Sequence, residues 1–487
     1  MKFNLLEFET KKGTHLLFDN CTGIVIENKK HTRYLLEHIN EEKSVIKENL
    51  IRSGIFKKED FEKDYHYLKY LINNGYFSDK KIKNISSFDR EDIFKGISSH
   101  LILIMTEECN LRCTYCIYSD HYIDKKTYSS KFMTTETALK AVDLFKKLHD
   151  EKKKRGYKDQ PKINFYGGEP LLNFDTIKKI VKYVDKLNFE NVEYMITTNG
   201  TVMNNEILDF LAKNNFIVSF SLDGDEFNHN RNRISINGRK THEIVVRNII
   251  KYHDMLKVYK RNSLINIICC FDNYTNMEKV VSFFEELKNK VKNLNFIYNK
   301  IYDVDTTYYN YCEEKYANNS NVIKTPYSES IQKKKKKFYT NEKCRDIPES
   351  IQSIFKSYYI MKNRKKGVFD FYQGNACIIG DKICISPDEK IYICEKANQE
   401  IEIGNLEQGL NYGEIKKIYE TYYQIRDKYC SKCSVNRLCD VCYVHFIKKN
   451  QLQFNENYCK KRKEVLKKGI AVVYSLLEEN KRIFDLN

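Results

Sequence analysis

The chain reads as an α/β protein built around an open, six-unit β/α barrel, with a small mixed unit in front and a Cys-rich module behind. Three observations predict this. Six strand patterns alternate with helical patterns between residues 98 and 301. Three closely spaced cysteines, Cys109, Cys113 and Cys116, follow the first of those strands. Eight of the sixteen cysteines fall after residue 370, in a turn-rich stretch.

Residues 1–80 form a unit of their own. Residues 3–9, 15–19 and 23–27 alternate apolar and polar side chains, with turn residues between them, and predict a three-stranded meander. Helical periodicity follows over 32–39, 42–53 and 58–73. Strands followed by three helices resemble a winged helix. The third helix carries Glu59, Glu62 and Asp64 against Lys63 and Lys69, whereas a nucleic-acid recognition helix is normally more basic. No nucleic-acid partner is expected. A packing or dimerisation element is the plainer reading of this unit.

In residues 98–301 the strands read 100–106, 162–166, 192–197, 217–222, 264–271 and 293–299. Helices fill the gaps at 135–154, 175–187, 205–214, 243–255 and 277–291. Alternation of this kind implies parallel strands with crossover helices. Six units are too few for an eight-stranded barrel, so a partial one is expected, with its chemistry where strands run into the following loops. Residues 302–370 read as a bridge with a helix near 351–362. Residues 371–487 hold the Cys-rich module and a terminal helix over 463–479.

The bulk composition excludes several classes. At 487 residues, two or three domains are expected. No signal peptide is evident and the longest apolar runs are too short to span a bilayer, so a cytoplasmic protein without a membrane partner is expected. Without a secretory signal, sixteen cysteines point to metal ligation rather than disulfides. The net charge of +17 favours an acidic partner such as a peptide, and the run Lys333–Lys337 reads as a solvated face.

The spacing Cys109-x3-Cys113-x2-Cys116 carries the most information. Three thiolates this close can hold three irons of a four-iron cluster and leave the fourth open. Electron-transfer clusters normally take four cysteines, and structural zinc sites are closed as well. The late cysteines form C-x2-C pairs (Cys430 with Cys433, Cys439 with Cys442), which also suit two zinc ribbons. Cys269 and Cys270 lie in a predicted core strand and read as small buried hydrophobes. Cys21, Cys312 and Cys344 receive no role. His229 and His445 read as structural, and no general base stands out.

With Tyr115 before its last cysteine, the Cys109–Cys116 run resembles the signature of the radical S-adenosylmethionine (SAM) enzymes. That resemblance implies a partial (β/α)6 radical SAM barrel whose open iron binds SAM. Gly167, Gly168, Glu169 and Pro170 match the family motif that holds the amine of the methionine moiety. Two glycines permit a close backbone approach. Thr198, Asn199, Ser221 and Asp223 resemble the polar strand ends that contact the cofactor, although Asp223 equally suits a turn cap before Gly224. Arg233 matches an arginine near the cofactor's carboxylate, with an exposed loop charge as its plainer reading.

The late cysteines resemble a SPASM domain with two auxiliary 4Fe–4S clusters. The resemblance assigns Cys377, Cys384, Cys394 and Cys442 to the inner cluster and Cys430, Cys433, Cys439 and Cys459 to the outer, for three 4Fe–4S clusters in all. The usual x3 after the third central cysteine is x2 before Cys442, so an open iron on the inner cluster is an alternative. The front unit resembles a winged-helix-like leader-recognition domain that binds a ribosomal precursor peptide by strand addition. The implied activity is thioether formation in a Cys-rich peptide of the ranthipeptide or sactipeptide kind, with an electron donor such as flavodoxin or ferredoxin. The alternatives are carbon–carbon crosslinking, formylglycine formation in sulfatases, or a non-enzymatic zinc-binding winged-helix adaptor.

Overall fold

The computed structural model describes residues 4–54, 61–77, 99–122, 125–317, 377, 379–397 and 399–479. The helix expected near 351–362, Lys333–Lys337 and Cys344 lie outside the described residues.

The front unit begins with strands β1 (Leu5–Glu9), β2 (His15–Asp19) and β3 (Val25–Glu27), paired antiparallel in that order. Helices α1 (Thr32–His38), α2 (Lys43–Arg52) and α3 (Phe61–Asn73) follow. Strand alternation gives this sheet two apolar faces. Leu17 and Ile26 pack against Leu35, Leu36, Ile46 and Phe61 of the unit's own helices. Leu6, Phe8 and Phe18 pack instead against Val435, Leu438, Leu466 and Ile470, far along the chain.

Six parallel strands make the barrel: β4 (His100–Thr106), β5 (Lys162–Gly167), β6 (Glu193–Thr198), β7 (Ile217–Ser221), β8 (Ile265–Phe271) and β9 (Leu294–Lys300). Between them run α4 (Thr135–Lys154), α5 (Phe174–Lys186), α6 (Asn205–Lys213), α7 (Glu226–Asn232), α8 (His242–Val258) and α9 (Met277–Lys290). Side-chain caps start several of these helices. Thr134 accepts from Thr137 N, Asn204 from Ile207 N and Asn276 from Glu278 N and Lys279 N. Strands and helices share one core, with Leu103, Phe165, Ile196, Val218 and Ile267 all buried. Helix α7, unforeseen from sequence, is a single short turn region of mostly polar residues. Helix α10 (Tyr308–Tyr316) buries Cys312 among Tyr274, Tyr309 and Tyr316.

The C-terminal module is not a separate body. Strand β10 (Lys382–Ile385) pairs parallel with β4, aligning Lys382 with His100 and Cys384 with Ile102. Strands β11 (Lys390–Tyr392), β12 (Glu402–Asn405) and β13 (Gly409–Leu410) continue it antiparallel, giving a ten-stranded sheet. Because β10 occupies the free side of β4, β9 does not close onto it and the barrel stays open. Helix α11 (Tyr412–Ile425), the hairpin β14 (Ile447–Lys448) and β15 (Gln451–Leu452), and helix α12 (Glu456–Glu479) complete the module. Helix α12 begins seven residues earlier than expected from sequence, which places Cys459 in its first turn. Among the described residues no helix is long and apolar enough to cross a membrane.

Candidate active site

The loop after β4 carries Cys109, Cys113 and Cys116, and the ends of the neighbouring strands brace it. Gly168 N donates to Thr106 O (2.8 Å) and Glu169 N to Glu108 O (2.9 Å). A Cβ on Gly167, whose φ is +131°, would lie 2.2 Å from Thr106 O. One on Gly168 would lie 2.1 Å from Glu108 O. This glycine pair permits a close backbone approach. The backbone it admits is that of the cysteine loop itself, although both glycines also line the cavity described below. On the other side, Arg112 N donates to Ile234 O (2.8 Å), and Thr114 is tied to Asn232 through its N–H (3.1 Å) and hydroxyl (2.8 Å).

Glu169 and Pro170 sit behind the cavity wall rather than in it. The Glu169 carboxylate is fully buried and accepts from Leu171 N (3.1 Å), Thr198 Oγ1 (2.7 Å) and Asn199 N (2.7 Å). Burial raises its pKa to about 7 against the pull of these donors. It locks the ends of β5 and β6 together. Asn199 Nδ2 in turn points at Cys109 Sγ (3.7 Å) and bonds Asn110 Oδ1 (2.9 Å).

Asp223 is also enclosed. It accepts from Cys270 N (2.9 Å) and from the Tyr115 hydroxyl, so it braces β8 and the cysteine loop rather than capping its own turn. Arg233 Nη1 bonds the same hydroxyl at 2.6 Å. Arg233 is only 7% exposed, which overturns the reading as a surface charge. Its Nε is buried with no hydrogen-bond partner among the described residues. His229 is structural, accepting from Asp223 N and facing the Thr241 hydroxyl, with its pKa driven well down by burial.

These groups surround a cavity of about 940 Å³. Its walls include Cys109, Cys113, Tyr115, Cys116, Gly167, Gly168, Thr198, Asn199, Ser221 and Arg233 from the barrel. They also include Cys377, Cys394 and Cys442 from the C-terminal module. The shortened x2 spacing thus still delivers Cys442 to the wall shared with Cys377 and Cys394. Cys384 lies behind that wall on β10, packed with Ile102, Ile104 and Tyr392.

Sequence reasoning missed Cys270, which lines the cavity while Cys269 faces the helices, as strand alternation requires. It also missed Tyr166, Lys300 and Arg462 on the same walls. The period-2 pattern of β8 and β9 was the signal available for Cys270 and Lys300.

Through-space electrostatics link subsets of the eight late cysteines. After burial, the main influence throughout, Cys394 raises the thiol of Cys384, and Cys377 raises that of Cys442. Separately, Cys430 and Cys433 raise Cys459, and Cys433 raises Cys430 and Cys439.

Among the described residues no three Cys, His, Asp or Glu side chains stand close enough to hold one metal ion. Burial, then Glu169, push the Cys109 thiol up to about 12, and burial pushes Cys113 up to about 11. A bound cation is what would convert them to thiolates. The unpartnered Arg233 Nε offers a buried cation to a carboxylate, as the nucleoside cofactor carries.

Residues 103–287 match the family described as the Radical SAM superfamily. This segment is a radical SAM domain. The domain's relatives include a cysteine-type anaerobic sulfatase-maturating enzyme of Clostridium novyi, 30% identical over 194 residues, covering 39% of this chain and 48% of that one. Another is the radical SAM cyclopropyl synthase TigE of Paramaledivibacter caminithermalis, 26% identical over 267 residues, covering 53% and 52%. The chain therefore spans about half the length of these curated relatives. Among solved structures, native anSMEcpe with bound AdoMet superposes with a TM-score of 0.54 at 22% identity. It covers 78% of this chain and 99% of that one, a likeness of fold.

Proposed function

We propose that this protein is a peptide-modifying radical SAM enzyme that installs thioether crosslinks in a ribosomally made, Cys-rich precursor. The observation that supports this most is the shared cavity, which has the Cys109–Cys116 loop on one wall and Cys377, Cys394 and Cys442 on the other. When bound, SAM and a cluster on the loop supply hydrogen abstraction from carbon, and auxiliary clusters supply an electron sink.

The chain's own residues do the rest. Cys109, Cys113 and Cys116 hold the first cluster. The two late foursomes hold the other two. Arg233 receives the cofactor's carboxylate, with Tyr115 and Asp223 fixing its orientation. The tyrosine-rich wall, which includes the buried Tyr118 and the half-buried Tyr166, keeps water from a reactive carbon centre. Residues 1–80 bind the leader, and a flavodoxin or ferredoxin delivers the electron.

The sulfatase-maturating and cyclopropyl synthase relatives support a second reading, in which the same site oxidises a side chain or joins two carbons. Products separate the readings. The test is anaerobic, reconstituted enzyme with SAM, reductant and a short Cys-rich peptide encoded beside the gene. Thioether formation predicts 5′-deoxyadenosine, a peptide lighter by two hydrogens, and a cysteine that no longer alkylates. A lighter peptide whose thiols all remain alkylatable supports the carbon–carbon reading and rejects ours.

A further inference from the structure

We infer that the N-terminal unit is a working part of the outer metal centre, with Asn4 and Asn20 positioning the loop that carries Cys433 and Cys439. The inference rests on the proposal that Cys430, Cys433, Cys439 and Cys459 hold one cluster.

The loop between these cysteines has almost no regular structure, only the short turn Asn436–Leu438. What shapes it comes from more than 400 residues earlier. Asn4 Nδ2 donates to Cys433 O (3.1 Å) and reaches Ser431 O (3.5 Å). Asn20 is fully buried, and its Oδ1 accepts from Arg437 N at 2.8 Å. Arg437 Nη1 donates to Cys21 O, also at 2.8 Å. Gly23 lies beneath this guanidinium, where a Cβ would fall 2.8 Å from Arg437 Nε.

Apolar packing runs alongside. Val435 and Leu438 insert beside Leu6, Phe8 and Phe18, and Cys433 and Cys439 pack against the same cluster. From within the module, Arg426 Nη2 holds Asn436 Oδ1 at 2.6 Å. The outer loop is thus gripped from both sides, and one grip belongs to the front sheet.

A peptide-binding unit that merely delivered a leader would need only a tether. This unit instead spends a whole sheet face, two asparagines and a glycine on the ligand loop. A loop lacking secondary structure pays the full entropy of ordering, so contacts at its tip decide where its thiols stand. Partners behind metal ligands commonly change metal affinity or activity about 10–100-fold when removed.

The test uses the full-length, anaerobically reconstituted protein and compares wild type with Asn20→Ala and Asn4→Ala. Iron per chain and EPR-monitored redox titrations are read, with the loop cluster identified by its response to SAM. Wild type should carry roughly twelve irons as three four-iron clusters. Each variant is expected to lose the outer cluster's signal or move its midpoint, leaving the SAM-responsive signal unmoved, a selectivity that general unfolding does not produce. Should Asn20→Ala not fold, the partly exposed Asn4→Ala decides alone. Full iron and an unmoved outer signal in the folded variants overturn the inference. A wild type with only about eight irons overturns instead the ligand set on which it rests.

Discussion

The Cys109–Cys116 loop and the Cys430–Cys439 loop face the same task, holding thiols in a fixed array, and meet it with different resources. The first hangs from a barrel strand and is braced by adjoining strand ends, at Gly167–Glu169, Asn199 and Asn232–Ile234. The second hangs from the end of α11 and is braced by the front sheet and Arg426. A repeating β/α scaffold supplies its own buttresses at every strand end. An irregular module must borrow them.

Four experiments break or sharpen this contrast. The largest effect is expected at Gly168→Ala, where the added methyl meets Glu108 backbone with nowhere to move. Overpacking against backbone costs about 1–3 kcal/mol or more. Loss of 5′-deoxyadenosine formation is expected, with late-cysteine iron retained. Retained cofactor cleavage would show that the loop tolerates displacement. Next, Cys442→Ala should leave SAM cleavage intact while peptide crosslinking falls, by about 10–100-fold as for other disturbed metal sites. Equal loss of both activities would mean the two walls do not act separately.

The seam between the regions can be tested by acid. His100, aligned with Lys382 across β4 and β10, has its pKa lowered from 6.5 to about 4, by burial first and by Lys382 second. The folded protein keeps the ring neutral, whereas the unfolded chain protonates it near 6.5. This contribution is therefore full above pH 6.5 and is lost as pH falls toward 4, by up to about 3 kcal/mol. His100→Gln should flatten the fall in melting temperature over that window. An unchanged slope would place the acid sensitivity elsewhere. The smallest effect is expected for Asn199→Ala. Removing a donor aimed at Cys109 Sγ should lower the loop cluster's midpoint potential slightly, since hydrogen bonds to sulfur favour the reduced state. An unmoved midpoint would reduce Asn199 to a brace.

Legibility followed the same division. The six barrel strands were placed to within a residue or two, because each is a short apolar run set off from its neighbours by a helical pattern. The cysteine loop was readable from spacing alone. Glu169 and Asp223 stood out in the sequence, yet their orientation did not. Burial and internal donors turned them into braces, and sequence contains no measure of what a carboxylate will find beside it. Helix α10 and Cys270 were missed for another reason. Mixed tyrosine-rich periodicity hides a helix, and two adjacent cysteines in a strand hide which one faces inward.

What the amino-acid order determined by itself was local: strand and helix periods, the three-Cys spacing, and the supply of eight further thiols. These are properties of neighbours along the chain, set by backbone geometry and side-chain type. Tertiary structure alone decided that β10 joins the barrel sheet, that two sets of cysteines share one cavity, and that Asn20 touches Arg437. Each of those contacts closes a loop of hundreds of residues, and its free energy comes from burial and hydrogen bonds that exist only once both ends have met.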